Sequence, residues 1–215
     1  MRNGFLFFLG LFGALVLSWG GAMLWPNHHL KQLAPYYDEN DAKAYPERIS
    51  GVAAQGRLVY ADLGCAACHT QQVRRPSTGA DKARGWGERQ SVARDYVYDT
   101  SVQLGDNRIG PDLMNVGGRK PPYDADDLYA LLYGGVGHMP PYAFLFEQRK
   151  LTAGRQASDD ALSLHGKLTP PAGVEIVPTP RAKALVAYLL SLNHPYEYPE
   201  AHPYEPVEKK EGSAK

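Results

Sequence analysis

The most apolar part of the chain lies near its N-terminus. The run from Gly4 to Trp25 contains no charged residue. As an α-helix it would be about 33 Å long, enough to cross a hydrocarbon layer of about 30 Å. Trp19 and Trp25 lie toward its C-terminal end, as in an interfacial aromatic belt. A cleaved signal peptide is the alternative, but its apolar core is usually shorter. The pattern therefore predicts a membrane anchor over residues 1–25.

One polar stretch follows the anchor, and a second forms the C-terminal end of the chain. Residues 26–49 combine prolines with acidic and amide residues and predict a polar linker. Residues 50–195 hold the remaining apolar pattern and predict a folded domain. Within it, residues 147–179 form a long connection that could be an insertion over the functional site or a partner contact. Residues 196–215 are poor in apolar side chains and predict a disordered tail or a strap bound to a partner.

Helical spacing of apolar positions recurs three times. It predicts helices from Ile49 to Leu63, from Asp124 to Tyr133 with Asp124 as N-cap, and from Pro180 to Leu192. Gly56 and Tyr60 stack on one side of the first helix, and we expect the last helix to cross there. The predicted inward residues are Val52, Val59 and Leu63 in the first helix, Leu128, Leu131 and Leu132 in the second, and Leu185, Tyr188, Leu189 and Leu192 in the third.

Composition limits the classes of function. Lys and Arg number 23, as do Asp and Glu, so the formal net charge is zero and nucleic-acid binding is not expected. The 22 glycines and 17 prolines indicate long loops. Mean hydropathy is negative despite the apolar run, so the remainder of the chain is polar enough for water. The fold class predicted is mainly α, with one transmembrane helix, a helical domain and long loops.

The sharpest motif is Cys65-Ala66-Ala67-Cys68-His69. This is the C-x-x-C-H pattern of covalent c-type haem attachment, in which two thiols bind the porphyrin and the histidine is an axial ligand of the iron. A thiol–disulfide motif, a structural disulfide and half of a zinc site are the alternatives. The histidine in the fifth position has no role in any of the three, so the motif favours covalent haem.

Two glycine-containing segments follow the motif, and the first of them also contains a proline. In Gly110-Pro111-Asp112-Leu113, the Pro111 carbonyl could accept the Nδ1–H of an axial histidine, which would fix its tautomer and raise its basicity. An ordinary turn is the alternative. Gly117-Gly118 predicts a turn with positive φ.

A methionine supplies the candidate for the sixth ligand of the iron. Met139 follows a glycine-rich loop and is braced by Pro140 and Pro141. Methionine is the usual partner of histidine in electron-transfer haems of high potential. Met114 lies too close in sequence to Pro111 to reach the opposite face. His138 remains the competing ligand.

A local excess of basic residues lies in the irregular region 74–118 and just after it. Most of these side chains are expected to be solvated. Arg74 and Arg119 lie close in sequence to the haem-contacting stretches, so they are the candidates for pairing with haem propionates or with acidic groups of a partner.

The assembled residues resemble a known family. They are similar to class I cytochrome c domains, and most similar to the membrane-anchored monohaem subunit, subunit II, of cbb3-type cytochrome c oxidases. The stretches that carry the resemblance are GRLVYADLGCAACHTQQVR (56–74), YVYDTSVQLGDNRIGPDLMNVGGR (96–119) and MPPYAFLF (139–146). With the single anchor, the resemblance covers most of residues 4–192. The chain departs from the family near residues 34–49 and over residues 147–179.

The resemblance implies a cofactor, a location and partners. Cys65 and Cys68 would bind one haem c, with His69 and Met139 as axial ligands. The domain would lie in the periplasm at the bacterial inner membrane, which agrees with Arg2 on the cytoplasmic side of the anchor.

The implied role is that of an electron-transfer subunit that has no substrate site of its own. The partners would be the membrane-embedded haem–copper catalytic subunit, other cytochrome c subunits and the lipid bilayer. The alternatives are the similar monohaem subunit of a nitric oxide reductase, a free membrane-tethered cytochrome c, and a thiol-redox or metal-binding module without haem.

Overall fold

A computed structural model describes residues 2–152 and 156–202 of the chain. Its backbone contacts divide the chain into two units, each with its own architecture. Their residues are Met1–Pro46 with Ala93–Tyr98 in the first, and Glu47–Val92 with Asp99–Lys215 in the second.

The first unit begins with a long apolar helix. Helix α1 (Arg2–Trp19) continues through a π-helical turn (Gly20–Leu24) into α2 (Trp25–Lys31). Over Asn3–Lys31 it is long and apolar enough to cross a membrane, but it extends beyond the predicted end at Trp25. In the π turn the Trp25 N–H bonds to the Gly20 carbonyl. We attribute this widened turn to the proline that follows, because a proline ring clashes with the carbonyl four residues earlier in a regular helix.

The polar segment after α2 is partly a hairpin. Strands β1 (Tyr36–Asp38) and β2 (Lys43–Tyr45) pair antiparallel. The Asp38 carboxylate accepts from the Asn40 N–H at 2.8 Å and closes the turn. The sequence predicted a polar linker here and no strands, because three-residue strands are too short to produce a periodic pattern.

The second unit is built on the crossing of two helices. Helix α3 (Gly51–Asp62) packs on α5 (Pro180–Ser191). A Cβ on Gly56 would lie 1.8 Å from the Ala184 carbonyl oxygen, so the two backbones meet without an intervening side chain. Beside this point the rings of Tyr60 and Tyr188 pack edge to face, 5.6 Å apart, and both are 1% exposed. The predicted crossing is confirmed.

Helix α4 (Ala125–Gly134) and a small sheet complete the core. The Asp124 carboxylate caps α4, as predicted, by accepting from the Asp127 N–H, and the Asp127 carboxylate accepts from the Asp124 N–H. Strands β3 (Phe146–Lys150) and β4 (Val174–Pro178) pair antiparallel, with Phe146 opposite Pro178. The described part of the long connection therefore contributes core residues such as Leu164 and Ile176. The fold has helices as predicted, and also strands that were not predicted.

Two predicted details are wrong. Val52 is 55% exposed, because the buried face of α3 is the one that contains Gly56 and Tyr60. Gly117 and Gly118 do not have positive φ. They are required for close packing instead. A Cβ on Gly117 would lie 2.1 Å from the Leu190 carbonyl oxygen in α5, and one on Gly118 would lie 2.3 Å from Asn193 Oδ1 just after α5.

The predicted C-terminal tail is packed over its described part. Tyr198 is 1% exposed, and the Arg89 guanidinium lies over its ring, 4.8 Å from the centroid. The prediction of a disordered tail is therefore wrong for residues 196–202, where a single aromatic side chain outweighs the polar composition. A strap bound to a partner stays a prediction. Residues 203–215 of that predicted tail lie outside the described residues.

The helix crossing generates a stability prediction. Gly56→Ala is expected to destabilise the chain by about 2 kcal/mol or more, because the new methyl group must push α3 away from α5. The matched control is Gly13→Ala in α1, where a Cβ meets nothing within 4 Å. Denaturant unfolding in detergent should show a lower midpoint for Gly56→Ala alone. Equal midpoints for the two variants would contradict the close crossing.

Candidate functional site

The cysteine motif occupies a tight turn at the end of α3. Gly64 adopts φ +68°, which ends the helix and redirects the chain. Residues Cys65–Ala67 form one 3₁₀ turn, and the His69 N–H bonds to the Cys65 carbonyl at 2.9 Å. The turn therefore presents Cys65, Cys68 and His69 from one short loop.

The two thiols of the motif are free, and the Cys65 thiol is partly buried. Cys65 and Cys68 are not joined by a disulfide. Burial raises the pKa of Cys65 to about 11, whereas a thiol-redox cysteine needs a lowered pKa. Within residues 2–152 and 156–202, no three His, Cys, Asp or Glu side chains gather as they would around a metal ion.

His69 is held from one side by the predicted segment. Its Nδ1 lies 2.8 Å from the Pro111 carbonyl oxygen, so the predicted contact is present. This carbonyl can only accept, so Nδ1 carries the proton and Nε2 keeps its lone pair for a metal ion. Gly110 packs against the ring, where a Cβ would lie 2.3 Å from Cε1. The Gly110 N–H also bonds to the Cys68 carbonyl at 2.9 Å.

A buried carboxylate fixes the backbone next to Pro111. Asp112 is fully buried, and its side chain accepts from the N–H groups of Gln72 at 2.8 Å and Met114 at 2.9 Å. The Leu113 N–H bonds to the Thr70 carbonyl. Burial raises the pKa of Asp112, and these backbone bonds oppose the rise. The segment after His69 and the segment around Pro111 are thus tied together at several points.

The methionine loop lies against the core beside the thiols. Met139 pairs with Val136 through two backbone hydrogen bonds and packs, half-buried, against the core, whereas His138 is exposed. Three residues further, burial raises the pKa of Tyr142, and the neighbouring Cys65 and Cys68 thiols raise it further. The loop is thus brought close to the cysteine turn with the methionine, and not His138, facing inward.

The two predicted arginines have different surroundings. Arg74 is engaged by Asp81, with Nη2 2.8 Å from Oδ1 and Nε 3.1 Å from Oδ2, so its predicted contact with the haem has no structural support. Arg119 donates from Nη2 to the Asp112 carbonyl, next to Pro111. Its Nε is buried and has no hydrogen-bond partner among the described residues. A buried donor without an acceptor fits an anionic group that binds there.

Sequence reasoning missed several residues of the site. Tyr142 and Gly110 both lie inside segments that the sequence singled out, and the Met-Pro-x-Tyr and Gly-Pro patterns were the available signals. Arg108 and Asp81 were not singled out. Their positions follow from long-range pairing, for which a single sequence carries no signal.

The comparison with protein families agrees with this geometry. The sequence model described as "Cytochrome C oxidase, mono-heme subunit/FixO" matches residues 6–168. The class is that of haem-bearing electron-transport subunits of the respiratory chain. Because the match covers most of the chain, the protein belongs to this family of mono-haem oxidase subunits, and the resemblance found in the sequence is confirmed. No curated protein matches the chain.

The ion pairs beside the site generate a prediction about pH. Burial opposes ionisation of Asp81, but hydrogen bonds from Arg74 and Arg108 outweigh it and hold the pKa at about 2, below the ordinary 3.8. Since the folded pKa is lowered, the stabilisation is fully present above about pH 4 and is lost as the pH falls toward 2. Asp81→Asn should therefore be less stable at neutral pH and lose less stability than the wild type between pH 4 and 2.

Unfolding midpoints measured against pH test this expectation. The matched control is Asp160→Asn, which removes an exposed pair with Lys183 and should change the profile little. Parallel profiles for wild type and Asp81→Asn would show that Asp81 does not supply this stability.

Proposed function

We propose that the chain binds one haem c covalently through Cys65 and Cys68, with His69 and Met139 as axial ligands. The observation that carries the proposal is the contact between His69 Nδ1 and the Pro111 carbonyl, which leaves Nε2 free to bind iron beside two unpaired thiols. Membership of a mono-haem family supports the single haem. When bound, the haem supplies a one-electron redox centre.

The residues around the site fit such a group. The Pro111 carbonyl orients the imidazole and raises its basicity by accepting the Nδ1 proton. Arg119 would bind a propionate through its buried Nε, which has no other acceptor among the described residues. Arg74 remains a weaker candidate, because Asp81 already engages its guanidinium.

The ligand set supports an electron-transfer role and not catalysis. With His69 and Met139 both bound, the iron has no open position for a substrate. We therefore infer that the subunit has no substrate site of its own. We also infer a class I cytochrome c-like domain, supported by the α3–α5 crossing, the cysteine turn directly after α3 and the methionine loop after α4.

The anchor supports a location at the bacterial inner membrane. The apolar helix over Asn3–Lys31 would cross the bilayer once, with the soluble domain in the periplasm. From there the haem would pass electrons to the membrane-embedded haem–copper catalytic subunit, which reduces O2, alongside other cytochrome c subunits. Membership of an oxidase subunit family supports these partners.

Purification of the full chain in mild detergent tests the function. We expect a c-type haem that stays with the polypeptide after denaturation, as seen in the pyridine haemochrome spectrum, and co-purification with a polytopic subunit that carries haem and copper. A polytopic partner with haem and non-haem iron would favour a nitric oxide reductase instead. A haem-bearing chain alone would favour a free tethered cytochrome, and absence of the c-type band would refute haem attachment.

Replacement of the proposed sixth ligand gives a spectroscopic prediction. Met139→Ala should abolish the weak charge-transfer band at the red end of the oxidised spectrum, because that band reports sulfur–iron bonding, while the covalent haem is retained. The matched control is His138→Ala, which removes the exposed competing ligand and should keep the band. If the band survives in Met139→Ala, methionine is not the ligand.

A further inference from the structure

The segment from Arg108 to Asp112 is a small closed loop. Its two ends are joined by an ion pair, with Arg108 Nη2 3.3 Å from Asp112 Oδ2. Gly110 and Pro111 lie between these ends, and both contact His69. Arg108, which closes the loop, therefore restrains the backbone of Gly110 and Pro111 that contacts the His69 imidazole.

Arg108 ties this loop to two other parts of the chain. The same Nη2 donates to the Gln72 carbonyl at 2.8 Å and to Asp81 Oδ2 at 3.0 Å. Both carboxylates, Asp81 and Asp112, are fully buried, whereas the Arg108 side chain is 20% exposed. One guanidinium thus bridges two buried carboxylates, of which Asp81 is held by Arg74 as well. Removing one partner of a buried ion pair is strongly destabilising.

The backbone of Arg108 is held against its own preference. Its φ is +47°, a region that an arginine rarely adopts. Its Nη1 is buried and makes no hydrogen bond to any described residue. Neither the positive φ nor the unbonded Nη1 favours an arginine here. The ion pairs made by Nη2 therefore stabilise this backbone conformation.

We propose that Arg108 is a positioning residue for the axial histidine: by pinning Asp112 to Asp81 and Gln72, it sets the position of the Pro111 carbonyl that orients His69. The inference rests on the proposed function, because it concerns the imidazole that would bind the iron. The role depends on the reach of Nη2, on which all three acceptors converge. Lysine would keep the charge, but its side chain is one bond shorter and ends before the position of Nη2.

Hydrogen exchange at His69 measures the contact directly. The sample is the full chain in detergent, carrying its haem and fully reduced, and the observable is the exchange rate of the Nδ1 proton followed by NMR. Loosening the loop exposes that proton to water more often. Arg108→Lys is expected to exchange at least about tenfold faster than the wild type, which corresponds to about 1.4 kcal/mol in the free energy of opening.

A second variant and a control complete the design. Arg108→Gly removes the guanidinium yet suits the positive φ, so it relieves the backbone while losing the ion pairs. It should show the same acceleration. Arg149→Lys removes a guanidinium–carboxylate pair with Glu147 that is closer, at 2.6 Å, but whose side chains are 50% and 51% exposed. This control should leave the exchange rate unchanged.

The possible failures are distinguishable. A wild-type chain without covalent haem would overturn the proposed function itself. A haem-bearing wild type whose Nδ1 proton exchanges within twofold of the rate in both Arg108 variants would overturn the positioning role alone. Acceleration in both Arg108 variants, but not in Arg149→Lys, supports it.

Discussion

The close crossing of α3 over α5 at Gly56 is the constraint on which the site depends. Because α3 leads directly into the cysteine turn, its seat on α5 fixes where that turn begins. On the other side of the turn, the Tyr188 hydroxyl of α5 donates to Gln71 Oε1 at 2.9 Å. The same helix therefore contacts the chain both before Cys65 and after His69, and these two contacts fix the ends of the cysteine turn.

The second constraint is the pairing of the segment after the turn with the segment around Pro111. These two segments do not form a regular sheet, because a proline has no N–H to donate and Gly110 must lie against the imidazole ring. In place of the backbone hydrogen bonds of a regular sheet, the Asp112 carboxylate accepts from two backbone N–H groups. A buried carboxylate is unfavourable unless it is compensated. The guanidinium of Arg108 and the backbone donors supply that compensation, so the polar cluster follows from the choice of proline at this position.

Patterns that act over a few residues predicted the structure well. The cap at Asp124, the cysteine turn and the contact of His69 with Pro111 each follow from local geometry or from the chemistry of one motif. Long-range choices were not predictable. Val52 fits the helical spacing, but the face of α3 that is buried is decided by where α5 crosses. Arg74 was chosen for its nearness to the motif, yet Asp81, seven residues further, captures its guanidinium. Sequence distance does not reveal such competition.

On the proposed function, an anchor over the apolar helix would change what the surface of the domain needs to provide. A soluble cytochrome finds its partner by diffusion and gains from a strongly charged surface that steers the encounter. A domain tethered in the same membrane as its partner has an effective concentration of about the millimolar range without any steering. The zero formal net charge of this chain suits the second situation. Its arginines can then serve internal purposes, as Arg74 and Arg108 do by neutralising buried carboxylates. On the proposed function, the internal ion pairs would order the site, and the membrane would supply the encounter with the partner.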